Sequence, residues 1–280
     1  MTERFEPEQS ALLPETRRLL SKVEQETGRQ INIRPEQAIR GRGRAIYVVS
    51  DPNPDQHLVL FDPAESRFLD HLVAHESGHI LRFHRAEPQE RVVPVLTGER
   101  RSRALRQLLP DIQTLVKRGI PEAAIAEVYS IWLSGTIAQL SDTPADIRIE
   151  RWIWRDFPDL RQAQEASLRH QVKTLQLVAS PAVQTVTPKS VWRASNAMNY
   201  ALVRAISELF SDKTLLRPYA GSWAMSAGDE LYRMVDESPD LGLADDRRLS
   251  NLWAERLGFR GWYEWRRLDE LPKGFRHAWE

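Results

Sequence analysis

Residues 70–84 read DHLVAHESGHILRFH and contain the pattern H-E-x-x-H at His75, Glu76 and His79. On an α-helix, residues four positions apart differ by about 40° around the axis and by one turn along it. Both imidazoles can therefore reach one metal ion. Glu76 is adjacent to that face, where its carboxylate can act on a water molecule at the same ion. The pattern predicts a metal site with a general base beside it.

The residues before this stretch predict where its helix begins. Asp62 is suited to cap a helix, Pro63 suits the first helical position, and Glu65 follows the cap by three residues. The next proline is Pro88, so we expect a helix from Pro63 to about Arg85.

Residues of this helix at 3-4 spacing should share one side and face the interior. They are Phe68, Leu72, His75, His79 and Phe83. We therefore expect the two histidines to point into the protein together with apolar side chains.

H-E-x-x-H is the signature of the zincin metallopeptidases, and residues 75–79 resemble it without a mismatch. Strand-like runs precede the helix at 31–34, 45–50 and 57–61, an order similar to the amino-terminal half of zincins. The resemblance implies a small sheet packed on the motif helix. It also implies that segment 57–61 is an edge strand holding an extended substrate by main-chain pairing. The layout also resembles small cytoplasmic zinc peptidases that cleave transcriptional repressors.

After Pro88 the sequence predicts helices almost throughout. Their expected ranges are 99–109, 110–118, 121–140, 143–154, 161–179, 188–210, 222–235 and 246–257, in addition to an earlier helix at 10–27. The predicted fold class is therefore α+β. Residues 1–90 would form a mixed α/β part with the motif helix. Residues 91–280 would form a helical part that supplies the third metal ligand and a wall of the active-site cleft.

Composition limits the classes of function. The 280 residues carry 39 basic and 39 acidic side chains, which argues against a dedicated nucleic-acid binder despite the arginines at 40, 42 and 44. The chain has no cysteine, so a bound Zn²⁺ would have histidine and carboxylate ligands. The first 20 residues contain no apolar signal core, and no stretch approaches 18 uninterrupted apolar residues. We expect a cytoplasmic protein without a membrane-spanning segment.

A catalytic zinc needs a third protein ligand. His84 is nine residues after His75, which places it on the opposite side of the helix. His71 is one turn before His75, and we expect it to orient a ligand or to line the cleft. The remaining candidates are carboxylates on a later helix: Glu150 is favoured, with Asp146 and Glu127 as alternatives.

The gluzincin branch of the zincins provides a comparison for these carboxylates. Neprilysin-like and thermolysin-like members carry Glu-x-x-x-Asp, in which the glutamate binds the metal and the aspartate orients a histidine. Asp146 and Glu150 form Asp-x-x-x-Glu, which is the reverse order. The gap of about 71 positions between His79 and Glu150 is nearer to the neprilysin-like arrangement. The subfamily stays open.

These residues predict a zinc-dependent peptidase. A metal-activated water would attack a peptide bond, with Glu76 as general base and His75, His79 and Glu150 as ligands. A further donor is needed for the developing oxyanion, and Tyr200 is the candidate. The rival tyrosines are Tyr129, Tyr219 and Tyr232.

A protein of a different class would fit the same motif: a non-catalytic or partner-gated regulator that keeps a zincin fold. The intact Glu76 argues against it, because a structural zinc site needs no general base. The expected partners are a peptide or protein substrate and a regulatory protein. The tryptophans between Trp253 and Trp279 fit either a docking surface or core packing.

Overall fold

The computed structural model describes residues 12–37 and 56–271. Helices dominate these ranges, and four short strands form two small sheets, which is compatible with the predicted α+β class. The elements are α1 Pro14–Thr27, β1 Gln30–Pro35, β2 Gln56–Phe61, α2 Leu69–Arg85, β3 Val92–Val95, α3 Gly98–Lys117, α4 Glu122–Asp156, α5 Arg161–Val178, α6 Pro181–Val186, α7 Lys189–Leu209, α8 Trp223–Asp236, α9 Leu243–Leu257 and β4 Glu264–Arg267.

The two sheets have two strands each. Strand β1 pairs with β2 in parallel, with Ile31 opposite His57. Strand β3 pairs with β4 in antiparallel, with Val93 opposite Arg266. The predicted strands at 31–34 and 57–61 are confirmed. The predicted strand at 45–50 and the basic segment at 40–44 lie outside the described residues.

Helical structure begins at Pro63 as predicted, but as a separate 3₁₀ segment, and the α-helix with the motif begins only at Leu69. Asp62 accepts a hydrogen bond from the backbone N–H of Ala64 at 2.9 Å, and a 3₁₀ segment follows over Pro63–Phe68. Phe68 leaves helical geometry (φ −108°, ψ 11°), and α2 then runs to Arg85.

Two predicted breaks at prolines are wrong. Pro110 lies inside α3 and Pro144 lies inside α4, a helix of 35 residues. An interior proline removes one main-chain hydrogen bond, which weakens a helix but does not end it when packing holds both sides. Leu140 and Ile147, on either side of Pro144, are fully buried. Their packing keeps α4 continuous.

The contacts divide the chain into two units. The first contains α1, β1, β2, α2, the carboxy-terminal turns of α4 and the first half of α5. Its apolar core takes buried side chains from all of these elements except α5; they include Leu19, Val23, Ile31, Val59, Val73, Ala74, Ile80, Leu81, Ile149 and Ile153.

Helix α1 is fastened to α2 within this unit. The Oδ1 atom of Asp70 accepts hydrogen bonds from the backbone N–H of Leu13 at 2.8 Å and from the hydroxyl of Thr16 at 2.6 Å. Thr16 is fully buried. Because α1 has no side-chain cap of its own, Asp70 supplies an acceptor at its amino terminus.

The second unit contains β3, α3, most of α4, the second half of α5, α6 to α9 and β4. Trp253 and Trp262 are fully buried in it. The indole N–H of Trp253 donates to the carbonyl of Leu231, and that of Trp262 donates to Gln107 Oε1. These two tryptophans are therefore core residues, whereas Trp279 lies outside the described residues.

Across the described ranges, no helix is both long enough and apolar enough to cross a lipid bilayer.

The buried histidine of β2 predicts an acid-sensitive fold. His57 is 6% exposed, and its Nε2 atom has no hydrogen-bond partner among the described residues. Burial, with the charges of Arg29 and His84, lowers the pKa of His57 to about 4. An unfolded chain would titrate this group near pH 6.5. Between these values the unfolded state binds the extra proton, so stability falls as the pH falls.

We expect the variant His57→Leu to lose less stability than the wild type between pH 6.5 and 4, with a difference of up to roughly 3 kcal/mol. Urea unfolding at a series of pH values measures this difference. His170→Leu is the control, because it also removes one imidazole but from a half-buried position. The same pH dependence in His57→Leu and in the wild type would contradict the prediction.

Candidate metal centre

Helix α2 carries three histidines on successive turns. His75 and His79 are half-buried, and their Nε2 atoms are 3.2 Å apart. Their rings meet edge to face, with centroids 4.9 Å apart. His71 is buried at 4% exposure, and its ring is 6.1 Å from that of His75 between centroids.

The side of α2 that faces the core differs from the predicted one. The residues fully or almost fully buried include Val73, Ala74, Ser77, Ile80 and Leu81. Leu72, His75 and His79 are only half-buried. Phe68 and Phe83 of the predicted stripe are buried, so the prediction is confirmed at the two ends of the stripe and wrong for Leu72, His75 and His79 in its middle. The histidines lie beside the apolar core.

Glu150, near the carboxy-terminal end of α4, is directed at these histidines. It is 2% exposed. The Nδ1 atom of His75 is 2.7 Å from its Oε1 atom, and the Nε2 atom of His71 is 2.9 Å from its Oε2 atom. Gln164 of α5 donates from Nε2 to the same Oε2 atom at 2.6 Å. One buried carboxylate thus holds three side chains.

This arrangement keeps Glu150 ionised. Burial alone would raise the pKa of Glu150, but the charge and hydrogen bond of His71, followed by those of His75, bring that pKa well below its usual range. A buried carboxylate without such donors would be strongly disfavoured.

The carboxylate also fixes the form of His75. An ionised carboxylate only accepts hydrogen bonds, so the Nδ1 atom of His75 must carry a proton. In the neutral ring the Nε2 lone pair is then available on the side of His79. Two nitrogens bound to one tetrahedral zinc at about 2.05 Å would be about 3.3 Å apart. The observed 3.2 Å between the two Nε2 atoms is within hydrogen-bond range and is also close to this spacing.

Glu150 can act as a metal ligand or as an orienting group. It forms a possible ligand group with His71 and His75, and the ligand atoms of these three residues lie within 4.8 Å of one another. It faces Nδ1 of His75, whereas the atom near His79 is Nε2. Its distances of 2.7 to 3.1 Å to the nitrogens of His71 and His75 are hydrogen-bond distances. The assignment of Glu150 as a metal ligand stays a prediction, and its contacts favour the outer role of holding a ligating histidine.

Asp146 is the alternative carboxylate ligand on α4. It precedes Glu150 by one turn on the same continuous helix α4. Its role as the third ligand beside His75 and His79 stays an alternative prediction. If Asp146 bound a metal and Glu150 oriented the histidine, the two roles would keep the order that they have in Glu-x-x-x-Asp, and only the residue types would be exchanged.

Close packing at a glycine brings α4 to the motif helix. A Cβ atom at Gly78 would lie 2.7 Å from Cγ2 of Ile149, the residue before Glu150. Only glycine permits this approach without displacement of the isoleucine. Gly78 and Gln164 were not identified from the sequence, although a glycine inside a helical H-E-x-x-H pattern is a signal for close packing.

Two further residues that the sequence proposed for the site are Glu76 and Glu127. Glu76 is 7% exposed on α2, next to His75. Glu127 is exposed, and it precedes Glu150 by 23 residues, or roughly 35 Å along α4. Glu127 therefore cannot share a site with Glu150.

Tyr200 has the contacts of a core tyrosine. It is 1% exposed on α7, its hydroxyl donates to Asp229 at 3.1 Å, and its ring packs edge to face on Tyr219. Burial, together with Asp229, raises the pKa of Tyr200. These contacts provide no support for a role as oxyanion donor, which stays a prediction. Of the rival tyrosines, Tyr232 donates to Glu208.

No family model, no curated protein and no solved structure matches the chain. The assignment of the centre therefore depends on its own residues.

The contact between Gly78 and Ile149 predicts an unusual response to alanine. Gly→Ala inside a helix normally stabilises by up to about 1 kcal/mol. We expect Gly78→Ala to destabilise the fold by about 1–3 kcal/mol, because the added methyl overlaps Ile149. Zinc affinity should also fall, since α4 must move away from His75.

The matched control is Gly135→Ala, which lies inside α4 and has no atom within 4 Å of the added Cβ. It should be neutral or stabilising in urea unfolding. In the Gly78→Ala background, Ile149→Ala should cost less than it does alone, because it removes the overlapping atoms. Additive effects of the two substitutions would contradict the proposed contact.

Proposed function

We propose that the chain is a zinc-dependent peptidase of the zincin type. The observation that carries the proposal is the pair of Nε2 atoms of His75 and His79, 3.2 Å apart, with Nδ1 of His75 held by the buried carboxylate of Glu150. Glu76 between them has the position of the general base in the zincin signature.

The proposed ligands are His75, His79 and Asp146. When bound, Zn²⁺ supplies Lewis acidity, which lowers the pKa of a coordinated water and polarises a carbonyl group. Two imidazoles and one carboxylate are a ligand set that zinc accepts and that leaves a position open. Asp146, one of the alternatives from the sequence, here takes the place of Glu150, which the sequence favoured as the third ligand.

Each protein group then has a defined task. Glu150 holds the Nδ1 proton of His75 and so presents Nε2 as a lone-pair donor. Glu76 accepts a proton from the attacking water and delivers it to the nitrogen of the leaving amine, which balances the hydrolysis.

We also propose that the sheet of β1 and β2 packs on α2, as the zincin resemblance implies. Support comes from the shared apolar core, which contains Ile31 of β1, Val59 of β2 and Val73 of α2. An extended peptide as substrate is part of the same proposal.

Metal content and peptide cleavage, measured together for the wild type and Glu76→Gln, test the proposal. The substrate is a mixture of unstructured peptides, with products identified by mass spectrometry. We expect one zinc per chain in both proteins, because Glu76 is not a ligand. Cleavage should fall by a factor of about 100 or more in the variant, which lacks the general base.

A variant at a distant acidic position, Glu127→Gln, controls for the loss of one carboxylate and should cleave as the wild type does. Zinc in both proteins with cleavage in neither would favour the non-catalytic regulator. A wild type that binds no zinc would contradict the metal centre as a whole.

A further inference from the structure

Besides His75, which it orients, the carboxylate of Glu150 contacts two further side chains. His71 lies one turn before His75 and is directed at Glu150 through Nε2, 2.9 Å from Oε2 and 3.1 Å from Oε1. Gln164 donates through Nε2 to Oε2 at 2.6 Å and to the main-chain carbonyl of Glu150 at 2.9 Å. We propose that His71 and Gln164 are positioning residues that set the zinc affinity of His75 by fixing the rotamer of Glu150.

The burial of the group supports this role. His71 is 4% exposed, Glu150 is 2% exposed, and Gln164 is fully buried. No solvent is available to replace a lost donor, so the carboxylate must take its hydrogen bonds from these side chains. Without His71 or Gln164, a rotation of Glu150 towards a new donor would remove the acceptor from Nδ1 of His75.

The double contact of Gln164 distinguishes positioning from simple charge compensation. Its amide N–H₂ group joins the side chain of Glu150 to the main chain of the same residue. This joint restricts how the carboxylate can turn relative to α4. Gln164 is neutral, so it supplies no charge that would compensate the carboxylate.

The ring of His71 is committed to the same task. Nε2 of His71 lies at hydrogen-bond distance from Glu150, and Nδ1 of the same ring has no hydrogen-bond partner within residues 12–37 and 56–271. Leaving a buried polar atom unpaired is costly, so the contact with Glu150 must outweigh that cost. The Oε1 atom of Gln164 is buried without a partner in the same way. In both side chains, one polar atom is directed at the carboxylate of Glu150 while the other is left without a partner among the described residues.

This inference rests on the proposed zinc centre and is tested by metal binding, without any activity assay. Zinc dissociation constants, from competition with a chelator, are compared for the wild type, His71→Leu and Gln164→Met. Each variant removes a donor to Glu150 and replaces it with an apolar side chain of similar size. We expect each to weaken zinc binding by about 10- to 100-fold, as substitutions behind a ligating histidine do.

Two conservative comparisons separate positioning from loss of folding. His71→Gln keeps a donor at the reach of Nε2 and should recover most of the affinity. His57→Leu also removes a buried histidine with one unpaired nitrogen, but one outside the contacts of Glu150, and it should bind zinc as the wild type does. Urea unfolding of the metal-free proteins shows whether each variant is folded.

The visible spectrum of the Co²⁺-substituted proteins gives the second readout. A positioning residue leaves the ligand set intact, so the bands of His71→Leu and Gln164→Met should keep the wild-type shape. A changed band shape in His71→Leu would make His71 a ligand and overturn its positioning role. If both variants are folded and bind zinc with the affinity of the wild type, this inference is overturned, whereas the proposed function is not. A wild type without zinc would overturn the proposed function, and this inference with it.

Discussion

The buried carboxylate of Glu150 is the interaction on which the rest of the centre depends. It joins α2, α4 and α5 through His71, His75 and Gln164, and all three contacts are no longer than 2.9 Å. A carboxylate at 2% exposure is stable as an ion only because these donors face it. The apolar packing around it therefore has to place three helices correctly at once.

The approach of α4 to α2 follows from one small residue. Gly78 lets Ile149 lie against the backbone of the motif helix, and the next residue on α4 is then Glu150. Asp146 lies one turn before Glu150 on the same helix. Structural packing and the proposed chemistry thus share the same pair of helices.

The sequence predicted the motif helix, its Asp62 cap, both described strands of the first sheet and most later helices, because these depend on local spacing and capping. Prolines at 110 and 144 misled the prediction, since tertiary packing carries a helix through them. The sequence also left open whether Asp146 or Glu150 would bind a metal. Both lie on one helical face, and the choice depends on which imidazole nitrogen each carboxylate meets.

Anomalous diffraction at the zinc absorption edge, from crystals of the protein grown with zinc, is the most direct test of the centre. We predict one peak at bonding distance from Nε2 of His75, Nε2 of His79 and a carboxylate oxygen of Asp146, with Glu150 still on Nδ1 of His75. A peak at Nδ1 of His75 bonded to Glu150, or no peak near α2, would contradict the account.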